Sequence, residues 1–327
     1  MITIKGIGAY LPQKIMKNDD WRAYFDTSDE WIYSHTGIKE RHVAADDEAT
    51  SDMAVKAAHK ALEQAGMTTS DIDMIICATC TPDYIGFPST ANLVQGKLGA
   101  GTIPSFDIRS ACTGFIYGLS VAAGQVATGM AKNVLLVASE TLTRMLDWHD
   151  RGSAILFGDG AGAAVISKAE QKDSLIDIVL YSKADDKALV RPMGGMKNPL
   201  PLIGLSAEEV KETLLKMDGH AVYAFAVRAI SDVVNTILNR NNLKIEDVDY
   251  VIPHQANKRI IEAACVRNKW PIEKFFMNLD KVANTSAASI PIALNDMQEQ
   301  GLLKKGMKLI LPGFGAGLTW GGALIEW

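Results

Sequence analysis

The sequence has 327 residues, of which 48% are hydrophobic and 22% are charged, and its formal net charge is −5. This composition is typical of a globular protein with a large apolar core, and the length suggests two domains or one large fold made of two halves. The mild acidity argues against a dedicated nucleic-acid-binding protein, and no basic or lipidation signal precedes the first apolar segment, so we predict a cytoplasmic protein that binds neither nucleic acid nor membrane.

An internal repeat predicts a duplicated α/β fold. Leu62–Ile76 aligns with Leu238–Ile252: in each copy a helix ends at a residue suited to a left-handed C-cap, and a polar link leads into an apolar strand. Further matches at a similar offset are Leu135–Val137 with Leu309–Leu311 and Gly162–Ile166 with Gly321–Ile325. We therefore predict an N-terminal half, residues 1–170, and a C-terminal half, residues 171–327.

Cys77 and Cys80 form a C-x-x-C sequence at the end of an apolar strand. No second C-x-x-C or C-x-x-H follows to complete a zinc site, and a proline interrupts the helix that a redox pair would need. Four cysteines are also too few for a disulfide framework in a chain of this length. We interpret the pair as two thiols at a strand end and predict no metal site.

The segment between Arg109 and Lys132 carries no charge and is long enough to cross a bilayer. Its glycines and polar residues indicate instead a buried central helix. Cys112 lies where the strand Ile103–Ile108 passes into this helix, and the helix N–H groups and dipole are predicted to favour a thiolate there. Cys112 is thus either a nucleophile or a small buried apolar residue.

Two glycine-containing segments follow. A glycine-rich loop that binds a dinucleotide opens a helix. Gly158–Gly162 leads into a strand instead, so it does not indicate dinucleotide binding. Lys183–Glu209 is polar, less periodic and rich in glycine and proline, which indicates a long excursion at the start of the second half. Loops of this length are usually functional, and we predict an active-site cover.

Two polar residues of the second half are candidates for a site. His254 ends an apolar strand, where ligands gather in open α/β sheets, and is either an acid, base or hydrogen-bond donor or a satisfied structural histidine. Asn284 opens a small polar cluster and, by itself, is most simply a helix N-cap. Gly313–Gly317 is by itself only a glycine-rich turn between strands.

Eight motifs occur in order along the whole chain: Asp26–Trp31, Thr36–Arg41, Phe87–Ser89, Cys112–Phe115, Phe157–Ala163, Pro253–Asn257, Asn284–Ser289 and Gly317–Gly321. Each motif is weak alone, but together they resemble the β-ketoacyl-acyl-carrier-protein synthase III family. The resemblance implies a thiolase-like α/β fold, in which the duplicated halves pack as a five-layered αβαβα structure. It also implies an acyltransferase that starts fatty-acid synthesis.

In the family that the chain resembles, a cysteine takes an acyl group from acyl-coenzyme A, and Cys112 matches it. Malonyl-acyl carrier protein then loses carbon dioxide, and its carbanion attacks the acyl-enzyme. A histidine and an asparagine, matched by His254 and Asn284, hold the thioester oxygen as charge develops. The N–H groups of Cys112 and Ala316 would form the oxyanion hole. The resemblance implies no cofactor, since coenzyme A arrives as part of a substrate.

The resemblance also implies how partners bind. Residues that match coenzyme A contacts are Thr27, Trp31, His35, Arg151, Gly152 and Asn257, with the adenine stacked between Trp31 and Arg151. Residues that match the docking segment for the carrier protein are Gln255, Ala256, Asn257, Lys258 and Arg259. Phe87 matches a residue that reaches the acyl pocket of a second subunit, which implies a homodimer.

Three departures from the family pattern bear on substrate binding. His35 stands where an arginine is usual, so coenzyme A affinity is predicted to rise as the pH falls and the imidazole gains a proton. Val282 and Ala283 replace an aromatic residue or histidine and a glycine just before Asn284. Ala316 replaces a glycine, which is predicted to restrict the backbone at the oxyanion turn.

Three functions are alternatives to a synthase III. A related ketosynthase of specialised metabolism with another acyl donor or acceptor fits the same motifs. A degradative thiolase would need a second cysteine near the C-terminus, and Gly313–Trp327 has none. A non-catalytic scaffold of the same fold is opposed by the intact Cys112, His254 and Asn284.

Overall fold

The computed structural model of the protein describes residues 2–169, 174–200 and 204–327. The strands are β1 (Ile2–Tyr10), β2 (Lys14–Lys17), β3 (Glu40–Val43), β4 (Met74–Ala78), β5 (Ser105–Ile108), β6 (Asn133–Glu140), β7 (Gly160–Lys168), β8 (Leu175–Asp185), β9 (Leu189–Val190), β10 (Lys216–Met217), β11 (Tyr250–Val251), β12 (Lys308–Gly315) and β13 (Gly317–Glu326). The helices are α1 (Asp29–Thr36), α2 (Thr50–Ala65), α3 (Thr90–Leu98), α4 (Gly114–Ala127), α5 (Arg151–Ala154), α6 (Ala207–Glu212), α7 (Gly219–Arg240), α8 (Lys258–Asn268), α9 (Leu279–Val282) and α10 (Ser289–Glu299).

The two halves share a strand order, except that the first sheet has one further strand, β5, at its edge. The first sheet runs β1-β7-β6-β4-β5, and the second runs β8-β13-β12-β11. In each, the strand that follows the repeated helix pairs in parallel with the next long strand, β4 with β6 and β11 with β12. Gly66 and Asn242, just after α2 and α7, adopt the predicted left-handed conformation, with φ of 65° and 52°. The predicted boundary at 170/171 stays a prediction, because residues 170–173 lie outside the described residues.

Three apolar clusters show how the layers stack. α2 and α3 pack on the outer face of the first sheet, and α7 and α8 pack on the outer face of the second. Between the sheets, α4 and α10 share one cluster with inward-facing residues of β6, β12 and β13. The order is helix, sheet, helix, sheet, helix, which is the predicted αβαβα arrangement. Strands covered on both faces explain the unbroken apolar runs of β4 and β6.

Two helices bear on the question of a membrane span. α4 has 14 residues and lies in the middle layer, so the uncharged segment after Arg109 is a buried central helix as predicted. Among the described residues one helix, α7, is long and apolar enough to cross a membrane by length and composition. Its apolar side packs on the second sheet, and core helices of soluble proteins meet the same criteria. This is weak evidence for a span.

Candidate active site

Cys112 lies where the chain passes from the first sheet into the middle helix layer. β5 ends at Ile108, a 3-10 turn covers Ala111–Thr113, and α4 begins at Gly114. Ala111 has a left-handed backbone (φ 44°), which turns the chain sharply just before the cysteine. The Cys112 side chain is buried. The predicted strand-to-helix position is confirmed.

The free thiol of Cys112 is protonated at neutral pH. Burial raises its pKa to about 12; a hydrogen bond with Ser286 acts against this, and the charge of Glu140 adds to it. A helix N-terminus stabilises an anion by about 0.3–2 kcal/mol, less than the several kcal/mol that it costs to bury an ion. The prediction that the helix end favours the thiolate stays a prediction: the backbone at this turn lowers the pKa of Cys112, and burial acts in the opposite direction.

His254 follows β11 and lies in the interior. Its backbone N–H donates to the carbonyl oxygen of Pro312 (2.8 Å), which ties it to β12. The ring packs edge-on against Phe314, with 4.9 Å between ring centroids. Within the described residues, its Nδ1 has no hydrogen-bond partner. Burial lowers the pKa of His254 to about 3, so the imidazole is neutral and offers one donor and one acceptor.

Asn284 is held by its backbone and by its own side chain. Its N–H donates to the Leu156 carbonyl oxygen (2.9 Å), and its carbonyl accepts from the Gly158 N–H (3.0 Å). Its Oδ1 accepts from the backbone N–H of Ser286 (2.9 Å). The helical turn begins only at Ser286, after Thr285, so Asn284 is not its N-cap residue. With Oδ1 engaged, the NH₂ group is the end of the side chain that is left to donate to a ligand.

Two cavities meet at Cys112. The first, of about 240 Å³, is lined by Cys112, His254 and Asn284 at its inner end. The second, of about 290 Å³, has an apolar wall and two arginines, namely Ile85, Leu142, Met145, Met193 and Leu215 with Arg109 and Arg191. The cavities share Cys112, Phe157, Leu189 and Ala316. A substrate thioester in the first cavity can therefore pass its acyl group to the sulfur and into the second.

The excursion at the start of the second half forms part of these walls. β9 of this segment pairs with β10, which follows the segment in the chain, and Leu189 and Met193 line the second cavity. Residues 201–203 of the predicted range Lys183–Glu209 lie outside the described residues. The cavity walls agree with the interpretation of this segment as an active-site cover.

The turn between β12 and β13 touches the cysteine. A Cβ atom on Gly315 would lie 2.8 Å from the backbone nitrogen of Cys112, so no side chain fits there. Ala316, next in the chain, lines both cavities. Among the described residues, Ala316 is not one of those with positive φ, so an alanine fits its backbone without strain. The prediction that Ala316 restricts the conformational freedom of this turn stays a prediction.

The outer end of the first cavity holds most of the predicted coenzyme A residues. The lining includes Trp31, His35, Arg151, Gly152 and Asn257. The Arg151 guanidinium lies 4.5 Å from the centre of the Trp31 ring, and the His35 ring stacks on Trp31 at 4.2 Å. His35 Nδ1 is 2.6 Å from the Trp31 carbonyl oxygen, so it donates there. The predicted contribution of His35 charge to binding stays a prediction.

Thr27 and Gln255 lie outside the lining of the first cavity, and only the placement of Gln255 contradicts its predicted role. Thr27 is not in the cavity lining, although its buried hydroxyl has no partner among the described residues. Gln255 is fully buried, and its Oε1 accepts from the N–H groups of Asn278 (2.9 Å) and Leu279 (3.0 Å). Gln255 therefore holds the core together and cannot contact a carrier protein. Arg259 is exposed, with its Nε donating to the Ser34 carbonyl oxygen (3.1 Å).

Phe87 projects from the loop between β4 and α3 and is 91% exposed. Tyr84 and Ile85 of the same loop are exposed as well, at 55% and 61%. Single exposed apolar side chains are ordinary, but a group of three large ones marks an interaction surface. This placement agrees with a contact to a second subunit.

The four cysteines are free, and Cys77 and Cys80 lie at and just beyond the end of β4, as predicted. In the described part of the chain, no group of three or more His, Cys, Asp and Glu side chains could hold a metal ion. Cys80, however, has a partner that the sequence did not suggest. Its Sγ lies 3.2 Å from an oxygen of Glu140.

Glu140 is a buried carboxyl group near Cys112, and no sequence motif pointed to it. It ends β6 with no exposed surface and accepts hydrogen bonds from Thr81 Oγ1 (2.7 Å) and Ser286 Oγ (3.0 Å). Burial raises its pKa, and the hydrogen bonds act in the opposite direction. The available signal was a single acidic residue at the end of the apolar run Val134–Ser139.

Two family models match the chain. The model described as 3-oxoacyl-[acyl-carrier-protein (ACP)] synthase III matches residues 106–184, and the one described as its C terminal matches residues 238–327. They cover the segments that carry Cys112, His254 and Asn284.

Known proteins resemble the chain over its whole length. It is 47% identical to the beta-ketoacyl-[acyl-carrier-protein] synthase III of Caldanaerobacter subterraneus, over 99% of this chain and 97% of the relative. It is 45% identical to the protein of the same name from Fusobacterium nucleatum, over 100% and 98%. Among solved structures, the 3-oxoacyl-[acyl-carrier-protein] synthase III of Aquifex aeolicus has a TM-score of 0.91 and 40% identity, covering 100% of both chains.

Proposed function

Because the chain belongs to the 3-oxoacyl-[acyl-carrier-protein] synthase III family, we propose that it joins an acyl-coenzyme A primer to malonyl-acyl carrier protein through an acyl group on Cys112. It is an acyltransferase-type condensing enzyme with a β-ketoacyl-[acyl-carrier-protein] synthase III function in fatty-acid synthesis. The observation that carries the residue roles is the convergence of Cys112, His254 and Asn284, from three distant segments, on one cavity.

In the first half-reaction, the sulfur of Cys112 attacks the thioester carbonyl of acyl-coenzyme A. The S–H bond breaks, a carbon–sulfur bond forms, and coenzyme A leaves as a thiolate that takes up a proton. The negative oxygen of the tetrahedral intermediate would lie against the N–H groups of Cys112 and Ala316. The transferred acyl group then occupies the second cavity, whose wall is largely apolar.

In the second half-reaction, His254 and Asn284 donate hydrogen bonds to the thioester oxygen of malonyl-acyl carrier protein. Carbon dioxide leaves, and the electron pair of the broken carbon–carbon bond forms an enolate. The enolate carbon attacks the acyl carbon, and the sulfur of Cys112 departs as the thiolate. Preorganised neutral donors in a buried site stabilise such developing charge strongly. The lowered pKa of His254 keeps its imidazole neutral, so it donates without first being protonated.

For coenzyme A, we propose that the adenine binds between Trp31 and Arg151. Their cation–π contact lies at the outer end of the first cavity, and the adenine would insert by displacing the guanidinium from the ring. His35, Gly152 and Asn257 line the same end. His35 stacks on Trp31 and thereby supports the platform for the base.

For the carrier protein, we propose a docking surface around Lys258 and Arg259 at the start of α8. Arg259 is exposed beside the cavity mouth, and α8 packs near α1 through the Arg259–Ser34 hydrogen bond. A cationic patch suits an acidic partner and mainly speeds association. We also propose a homodimer, in which Phe87 enters the partner subunit, and a cytoplasmic location.

The test is the mass of the protein after incubation with a short acyl-coenzyme A. We expect one acyl adduct per chain on wild type, none on Cys112→Ala, and further conversion when malonyl-acyl carrier protein is added. An adduct of the same amount on Cys112→Ala would refute the assignment. Cys265→Ala is the matched control, because Cys265 lies on the buried side of α8 and lines neither cavity.

A further inference from the structure

Arg41 is a buried arginine that no step of the proposed reaction uses. It lies on β3 with no exposed surface, and its guanidinium is 5.6 Å from the centre of the Trp21 ring. Burial lowers the pKa of Arg41 to about 10, and the charges of Asp20, Glu40 and Asp29 act in the opposite direction, so the side chain is charged at neutral pH. A buried charge is costly unless it is hydrogen-bonded. The partners of this guanidinium therefore indicate its role.

The two terminal nitrogens of Arg41 bind to different parts of the chain. Nη2 donates to the carbonyl oxygen of Ile155 (2.9 Å), the residue that directly follows α5. Nη1 donates to Asn18 Oδ1 (3.0 Å) and, at a longer distance, to the carbonyl oxygen of Met16 (3.3 Å). A planar group with donors on two nitrogens can hold both sides at once, whereas the single ammonium group of a lysine cannot.

Asn18 extends this connection to α1. Its Nδ2 donates to Asp29 Oδ1 (2.8 Å), at the first residue of α1, and to the carbonyl oxygen of Ile38 (2.7 Å), just after the C-cap of that helix. Trp31 lies on the first turn of α1. Because Asn18 Oδ1 accepts from Arg41, the arginine orients the amide that holds both ends of the helix carrying Trp31.

On the other side, α5 is too short to be stable by itself. It has four residues, and isolated helices of that length do not persist in water. Its start is capped by the side chain of Asp150, and the chain just after its end is held by the bond from Arg41 to the Ile155 carbonyl oxygen. The place of Arg151, the first residue of α5, thus depends on contacts outside the helix.

We propose that Arg41 is a positioning residue for the adenine of coenzyme A, because it holds Trp31 and Arg151 in register with each other. It acts through Asn18 and α1 on one side and through Ile155 and α5 on the other. Groups that are already held in place bind a ligand more tightly, since less conformational entropy is lost on binding. This role rests on the proposed adenine site between Trp31 and Arg151, whose facing groups lie 4.5 Å apart.

The experiment compares two acyl donors that differ in the nucleotide. A short acyl-coenzyme A carries the adenine, and the acyl-pantetheine with the same acyl group carries the same thioester without it. The rate of acylation of Cys112 by each donor is followed by mass over a range of concentrations. In Arg41→Lys, the acyl-coenzyme A concentration that gives half the maximal rate should rise about tenfold, the size of a lost cation–π contact. The maximal rate, and half-saturation by acyl-pantetheine, should stay within about twofold of wild type.

Two further variants sharpen the test. Asn18→Ala cuts the connection to α1 but leaves the bond from Arg41 to Ile155, and it should raise half-saturation by acyl-coenzyme A alone by at least about threefold. It keeps the test decisive if Arg41→Lys does not fold. Arg22→Lys is the matched control and should behave as wild type, because Arg22 belongs to the same 3-10 helix as Asn18 but is exposed and pairs with Asp19.

A general loosening of the fold would impair both donors to the same extent. Equal effects of Arg41→Lys and Asn18→Ala on the two donors, or no effect on either, overturn the role of Arg41. Trp31→Ala tests the adenine site itself and should weaken the use of acyl-coenzyme A alone. If Trp31→Ala is not selective, the proposed adenine site is wrong. If wild type acquires no acyl group at Cys112, the proposed function is wrong.

Discussion

The two duplicated halves end corresponding strands with opposite chemistry. β6 of the first half ends at the buried carboxyl group of Glu140, which accepts hydrogen bonds from Thr81 Oγ1 and Ser286 Oγ. Near the end of β12, the equivalent strand of the second half, stands Phe314, whose ring packs against His254. One half thus surrounds its titratable group with hydrogen-bond donors, and the other packs its titratable group against an aromatic ring. The duplication gives both halves a similar strand arrangement, and the side chains at the strand ends give the two halves different chemical roles.

The same physical cause operates in both halves. Burial disfavours the charged form of every group, which raises the pKa values of Glu140 and Cys112 and lowers that of His254. The halves differ because Glu140 has donors on all sides, whereas Nδ1 of His254 has no partner within the described residues. Four changes would break or sharpen this contrast.

The largest effect on the rate of condensation is expected from two substitutions in the second half. His254→Ala and Asn284→Ala should each reduce condensation by at least about a hundredfold, the cost of losing one preorganised donor. Both variants should still take an acyl group from acyl-coenzyme A onto Cys112. The two steps are separated by measuring the acyl adduct by mass and the release of carbon dioxide from malonyl-acyl carrier protein. Loss of acylation in either variant would mean that the second half also activates the thiol.

The next effect concerns the turn where the halves touch. Gly315→Ala should reduce acylation by about tenfold or more and destabilise the protein by about 1–3 kcal/mol, because the new Cβ overpacks against the Cys112 backbone. Ala316→Gly is the matched control: it should keep activity within about twofold and cost less than about 1 kcal/mol. Acylation rates and urea unfolding test both. If Gly315→Ala acylates as fast and is as stable as Ala316→Gly, the turn tolerates a side chain at position 315.

The pH dependence of stability tests the neutral histidine. An unfolded histidine has a pKa near 6.5, and burial lowers that of His254 to about 3. The stability from the neutral imidazole is therefore complete above about pH 6.5 and declines as the pH falls, by about 1.4 kcal/mol per pH unit. Between pH 6.5 and 5, wild type should lose about 2 kcal/mol more than His254→Gln in urea unfolding. If both proteins lose the same free energy of unfolding, the folded protein accommodates the protonated imidazole of His254.

The smallest effect lies beside Asn284. Ala283 has φ 56° and ψ −157°, a conformation that favours glycine, whereas Ala288 has ordinary helical angles of −75° and −13°. Both are fully buried. Ala288→Gly should lower the free energy of unfolding by about 1 kcal/mol. Ala283→Gly should lower it by less, or raise it, because glycine relieves backbone strain that is worth about 1–3 kcal/mol. Equal costs would show that Ala283 is unstrained.

Several features were predictable because they depend on local pattern. The repeat and the apolar runs indicated two halves with buried strands, and the uncharged segment after Arg109 indicated a central helix. The motifs identified Cys112, His254 and Asn284. Their meeting at one cavity agrees with that identification, although the sequence offered a plain structural explanation for each. One predicted contact failed for a reason that no local pattern shows: Gln255 points into the core. The predicted contact of Thr27 with coenzyme A stays a prediction.

The sequence by itself determined the family and the order of elements and predicted the residues of the candidate site, since periodicity and motifs are written along the chain. Only the tertiary structure decided the charge states. Whether the thiol of Cys112 is protonated depends on burial and on Glu140, which is far away in sequence. Solvation and electrostatic interactions act through space, and they exist only once the strands have brought these groups together.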